Sequence, residues 1–360
     1  MRSLSDTIER LARYRSRAAG ADASVNTLAR LEDPAHNLGQ LLGWYQTPEN
    51  VEHPALVVVL HGCTQTAAGY DEASGWSQLA RDYGFAVLFP EQPRQNNANL
   101  CFNWFQTEDV TRGAGEVSSI REMIATMVEK HGIDPKRIYV TGLSAGGAMA
   151  NALLATYPEV FAGGAIIAGL PYAVGSTVPE AFDRMRGHGL PSPTVLQDKL
   201  SRATGHNGPW PTVSVWHGTT DATVVNANAR AIIDQWRGVH NVAVNPMVSH
   251  AIDGHAYEAW KDELGREVIE LYQISGMGHG TPLDPTTGYG RAAPYMLDVG
   301  ISSTVHIARA WGLTPSFERR ASSKPSGAAG PLLSHAGSPL GGESIQEVIE
   351  RALRSGGLMK

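Results

Sequence analysis

The stretch Arg137-Ile138-Tyr139-Val140-Thr141-Gly142-Leu143-Ser144-Ala145-Gly146-Gly147 decides how this chain is read. Its first half is short, apolar and β-branched, so a buried strand is expected over 137–142. Small residues then run to Tyr157 without a proline, and a helix is expected over 145–157. Between them Gly142-Leu143-Ser144-Ala145-Gly146 matches G-x-S-x-G in the strand-to-helix setting where that motif carries a nucleophile. A serine on so sharp a turn projects its hydroxyl outward. The glycines leave room for the turn and for close helix packing, and the helix N-terminus offers unpaired N–H groups beside a developing oxyanion. Ser144 is therefore the expected nucleophile; the competing reading is a Gly-rich turn with an incidental serine.

The same alternation extends in both directions. Apolar runs at 55–60, 85–89, 165–168, 212–217 and 267–274 read as further strands, the last in a hairpin with 256–261. Helices are expected over 71–83, 116–130, 225–236 and 301–311. Short strands alternating with helices give βαβ crossovers and a mostly parallel sheet covered on both faces, an α/β fold. Residues 170–211 are rich in Pro and Gly and hold no long apolar run, so a loop-rich insertion at the rim of the sheet is expected there. Leu4, Ile8 and Leu11 fall at helical spacing, which suggests an N-terminal helical extension over 1–37. The catalytic unit is then 38–313, followed by a Ser-, Gly- and Pro-rich flexible linker over 314–342. An amphipathic helix closes the chain at 343–360, with Ile345, Val348, Ile349 and Leu353 on one stripe. Such terminal helices could meet a granule surface or a second copy.

Composition removes several function classes. The chain has 360 residues, 42% hydrophobic and 18% charged, enough apolar material for a sizeable core. Twenty-nine basic against 35 acidic residues leave a net charge of −6, which offers nothing to nucleic acid phosphates. Two cysteines are too few for a disulfide scaffold or a multi-cysteine zinc site, and no His/Asp/Glu cluster has metal-binding spacing. No early apolar stretch reads as a signal peptide, and none is long enough for a transmembrane segment. The expected location is cytoplasmic.

A serine hydroxyl needs a base, and the base needs an orienting carboxylate. In α/β-hydrolases the chain order is serine, acid, histidine. Asp221 follows the strand at 212–217 in the run His217-Gly218-Thr219-Thr220-Asp221 and is preferred over Asp234, mid-helix, and Asp253, in a turn. His279, in Gly276-Met277-Gly278-His279-Gly280, follows the strand ending at Ile274 and is preferred over His240, His250, His255 and His306. One oxyanion amide comes from the loop after the first long strand and the other from the residue after the nucleophile. Those are the N–H groups of Cys63 and Ala145. His61 is expected to hold the loop rather than do chemistry.

With those residues in place, the segments His61-Gly62-Cys63-Thr64-Gln65-Thr66, Cys101-Phe102-Asn103-Trp104-Phe105, Gly142-Leu143-Ser144-Ala145-Gly146-Gly147, Gly169-Leu170-Pro171-Tyr172, His217-Gly218 through Asp221 and Gly276-Met277-Gly278-His279 follow in order. Their combination over about residues 38–312 resembles the short-chain polyhydroxyalkanoate (polyhydroxybutyrate) depolymerases with a type 1 catalytic domain, esterases related to feruloyl and acetylxylan esterases. The resemblance implies the α/β-hydrolase fold and cofactor-free hydrolysis of short-chain ester or polyester bonds by Ser144, Asp221 and His279. Feruloyl, acetylxylan and general short-acyl esters remain alternative substrates, and a non-catalytic binding protein on the same fold is a remote one. Two departures count against crystalline polymer as substrate. Gly280-Thr281-Pro282 stands where many secreted members have a tryptophan, and neither a signal peptide nor a polymer-binding domain is visible. Relatives often join the cysteines that match Cys63 and Cys101; such a bridge would pin the oxyanion loop, whereas a reducing cytosol would leave two thiols. Trp76, Trp104, Tyr172 and Trp216 lie beside site-forming segments and are candidate substrate contacts, with the core as the alternative place for each.

Overall fold

A computed structural model describes residues 28–32 and 36–314. The expected linker beyond Thr314, the C-terminal helix and most of the N-terminal extension lie outside these residues. Strands β1 (Ala29–Arg30), β2 (Leu42–Gln46), β3 (Leu56–Leu60), β4 (Ala86–Glu91), β5 (Ile138–Leu143), β6 (Gly163–Ile167), β7 (Thr212–Gly218), β8 (Val248–Ile252), β9 (His255–Lys261) and β10 (Glu267–Ile274) form one ten-stranded sheet in the order β1-β2-β4-β3-β5-β6-β7-β10-β9-β8. Its middle, from β4 to β10, is parallel; β1, β2, β8 and β9 add antiparallel edges. A small pair, β11 (Thr281–Leu283) with β12 (Met296–Asp298), stands apart.

Parallel strands need crossovers, and the helices that make them cover both faces. Alternate residues of each strand therefore enter two different cores. One core packs Leu56, Val58 and Val140 against helices α3 (Gly115–His131), α4 (Ala145–Thr156) and α7 (Ala227–His240). The other packs Val57, Val59 and Ile167 against α1 (Ala67–Ser74), α2 (Trp76–Tyr83) and α8 (Ser303–Ala310). Every residue of β3, β5 and β6 is buried. Each such aliphatic side chain contributes about 1.5–3 kcal/mol to stability.

Three expectations change. The helix expected over 71–83 is two helices, parted at Gly75 where φ is 76°. The insertion at 170–211, expected to be loop-rich, holds two helices, α5 (Val178–Met185) and α6 (Pro193–Ser201). The boundary at residue 38 falls too late: Ala29 and Arg30 pair with Tyr45 and Trp44, and Leu28 and Leu31 are buried.

Candidate active site

The nucleophile turn is built by close approach. A Cβ on Gly142 would lie 2.3 Å from the Gly146 carbonyl oxygen, and one on Gly146 would lie 2.4 Å from that of His61. Only glycine permits β5 to pass so directly into α4. Ser144 itself takes φ 56° and ψ −116°, outside the comfortable regions for an L-residue, at a cost of roughly 1–3 kcal/mol. Its N–H donates to the Ile167 carbonyl at 2.9 Å, which ties the turn to β6.

The loops after β7 and β10 bring two distant side chains to it. His279 Nε2 lies 2.9 Å from Ser144 Oγ, and His279 Nδ1 lies 2.7 Å from Asp221 Oδ2. A carboxylate only accepts, so Nδ1 carries the hydrogen and Nε2 is free to accept from the serine hydroxyl. The other Asp221 oxygen accepts the Thr223 and Val224 N–H groups, both at 2.9 Å. Burial pushes the Asp221 carboxyl up, but the His279 bond and charge, the His217 charge and the Val224 N–H outweigh it and hold it below the usual range. His217, fully buried, donates Nε2–H to the Val224 carbonyl at 2.7 Å and lies 3.5 Å from Asp221 Oδ2. It thereby braces the loop that carries the acid. The competing acid and bases are engaged elsewhere: Asp253 with His306 at 3.0 Å, His255 with the Val299 carbonyl and His240 with the Pro211 carbonyl.

Cys63 sits in the loop after β3, and Ala145 opens α4, where the first amides have no partner within a helix. No described residue accepts the amide hydrogen of either. The structure joins Cys63 to Cys101 by a disulfide. His61 donates Nδ1–H to the Gly62 carbonyl at 2.8 Å and accepts the Gln92 N–H on Nε2, so it holds the loop. Burial lowers its pKa to about 4, which keeps it neutral.

Beside Ser144 opens a small cavity of about 50 Å³, walled by Cys63, Cys101, Trp104, Phe105, Ala145, Leu170, Val178, Phe182, Met185 and Val224, with Asn97 and Asn99 also on its lining. Of the four aromatic candidates only Trp104 lines it. Trp76 is buried in the second core and stacks on Trp311; Trp216, equally buried, stacks on Tyr272 at 3.7 Å. Tyr172 packs against the first core and donates its hydroxyl to the Val110 carbonyl. Trp76 and Trp216, both fully buried, are corrected to core residues, and Tyr172, half-buried, does not line the cavity. Phe105, Val178, Phe182 and Met185 were missed. The signal for the last three was present in the 0, 3, 4, 7 apolar spacing of 178, 181, 182 and 185.

This geometry agrees with comparison to known proteins. Residues 43–248 match the family model described as Esterase PHB depolymerase. The chain is 44% identical over 301 residues to poly(3-hydroxyalkanoate) depolymerase C of Paucimonas lemoignei, covering 82% of this chain and 72% of that one. It is 31% identical over 263 residues to an acetylxylan esterase of Coprinopsis cinerea, covering 71% and 69%. Among solved structures, an acetyl xylan esterase from Aspergillus awamori superposes with a TM-score of 0.69 at 24% identity, over 80% of this chain and all of that one, a likeness of fold. The chain belongs to the Esterase PHB depolymerase family and is a serine ester hydrolase on the α/β-hydrolase fold.

Proposed function

We propose that the chain cleaves short-chain 3-hydroxyalkanoate ester bonds through an acyl-enzyme on Ser144, as a polyhydroxybutyrate depolymerase or oligomer hydrolase. The observation that carries this reading is the Asp221–His279–Ser144 hydrogen-bonded chain ending at the mouth of a small apolar cavity. His279 Nε2 takes the hydroxyl proton as Ser144 Oγ attacks the ester carbonyl. The oxyanion forms against the amides of Cys63 and Ala145, which are already oriented and lose little on reorganisation. Collapse of the tetrahedral intermediate expels the alcohol, which takes the proton from His279. Water then attacks the acyl-enzyme by the same route and releases the acid. Asp221 holds the imidazole in the required tautomer throughout.

The small cavity accommodates a few carbon atoms of the acyl chain, and the depolymerase relative supports the 3-hydroxybutyryl group as that chain. An acetyl group fits the same walls, so acetylxylan is the second reading, supported by the acetylxylan esterase relative. The deciding assay offers amorphous polyhydroxybutyrate, its soluble oligomers, acetylxylan and methyl ferulate to the full chain in the presence of EDTA. Release of 3-hydroxybutyrate at the highest kcat/KM is expected. Faster release of acetate or ferulate would overturn the choice of substrate while leaving the esterase chemistry in place.

A further inference from the structure

A buried acid stands behind the oxyanion loop without touching the catalytic side chains. Glu116 lies in the first turn of α3 and is 1% exposed. Its Oε1 accepts from Gln92 Nε2 and from Asn103 Nδ2 (2.9 Å), and its Oε2 accepts the Asn103 backbone N–H (2.9 Å). Both partners lead to the site. Gln92 Nε2 also donates to the Cys101 carbonyl at 3.0 Å, and the Gln92 backbone N–H donates to His61 Nε2 at 3.2 Å. Cys101 is bonded to Cys63, and His61 holds the Gly62 carbonyl. Asn103 directly precedes Trp104, which walls the cavity, and its Oδ1 accepts from Asn97 Nδ2 at 3.0 Å. The Thr64 N–H donates to the Asn99 carbonyl, closing the two loops on each other.

We propose that Glu116 is a positioning residue for ester hydrolysis: through Gln92, Asn103 and the Cys63–Cys101 bridge it sets the placement of the Cys63 amide and the Trp104 wall. This rests on the oxyanion assignment above. A buried carboxyl is costly to the fold unless its acceptors are filled. An apolar side chain would anchor α3 with less penalty, so the acid's use lies in the three donors it gathers from the two ends of the Gln92–Asn103 stretch between β4 and α3. Those donors fit the ionised form, which has acceptors only. Burial, and then the charge of Asp109, push its pKa up to about 8. Asp109, whose Oδ1 accepts the Glu116 N–H at 3.2 Å, is the ionisable group facing it; His61 lies beyond Gln92 and is neutral. The complete network therefore forms as pH rises through about 8, and turnover rises with it. Because the folded pKa lies above the unfolded one, stability runs the other way: it is full below the usual carboxylate range and is lost as pH climbs from there to about 8.

The test compares the full-length parent with Glu116→Gln, Gln92→Met and Ser144→Ala. It reads kcat and KM on p-nitrophenyl acetate from pH 6 to 10, with a melting temperature for each protein. Glu116→Gln replaces one acceptor by a donor at nearly constant volume. It is expected to lower kcat about tenfold or more with little change in KM, to remove the rise near pH 8, and to melt no lower than the parent at pH 9. Gln92→Met leaves Glu116 in place, cuts its link to Cys101 and should show the same kcat-selective loss; it decides the matter if Glu116→Gln does not fold. Folded variants with kcat within twofold of the parent and an unchanged pH profile would overturn the proposal. Activity retained by Ser144→Ala would instead overturn the oxyanion and nucleophile reading on which it rests.

Discussion

The meeting of Ser144, Asp221 and His279 was legible because each stands at a local break that physical chemistry explains: a serine between two obligatory glycines, an acid just past a strand, a histidine in a Gly-flanked loop. The aromatic contacts were not legible, since residue type says nothing about which way a ring turns. Trp216 faces the second core and Val215, its neighbour, the first, and both are fully buried. The two oxygens of Asp221 are divided between loop amides and the imidazole. Asp221→Asn keeps the Oδ1 contacts but can offer an amide N–H to His279 Nδ1, favouring the wrong tautomer. A loss of about 10⁴ in kcat is expected, the size seen for the corresponding change in the serine-protease triad. Stopped-flow or steady-state turnover on a p-nitrophenyl ester checks it. A variant within tenfold of the parent would remove Asp221 from the relay.

The elements at 170–211 show where reading by composition fails. Proline and glycine suggested loops, yet Thr177 caps α5 by accepting the Glu180 N–H, and a proline sits in its first turn, where its missing N–H has no partner to lose. Val178, Phe182 and Met185 on this helix wall the cavity, so under the proposed function α5 limits how long an acyl chain enters. Phe182→Ala is expected to lengthen the accepted chain. The kcat/KM ratio of p-nitrophenyl octanoate to butyrate should rise about tenfold, the discrimination that a few methylenes command in an apolar pocket. The measurement is the chain-length series itself. An unchanged ratio in a folded variant would place the acyl group elsewhere. Of the edge strands, β9 was legible as the hairpin partner at 256–261, whereas β1 and β8 were not. Three of the five residues of β8 are exposed, and β1 has only two residues, so neither gives the apolar run by which a buried strand is read.

At the scale of the whole molecule, the parallel centre of the sheet explains how residues 144, 221 and 279 meet. β5, β7 and β10 run in one direction, so the loops after their last residues open on the same edge. Loops at that edge bind ligands throughout open α/β sheets. The sheet's two cores lie beneath this edge on either face. The insertion between β6 and β7 supplies the cavity wall, and the segment between β4 and α3 supplies Cys101 and Trp104. The alternation of strands and helices carried this architecture in the sequence; the contacts among its loops did not, because they join residues far apart in the chain. Under the proposed function Ser144 Oγ is the atom that is acylated, and one measurement reaches it directly. The full chain is treated with a fluorophosphonate, and the adduct is located by peptide mass spectrometry. One adduct per chain is expected, on Ser144, with loss of ester hydrolysis in proportion to labelling. An adduct on another residue, or full labelling of Ser144 with hydrolysis intact, would contradict it.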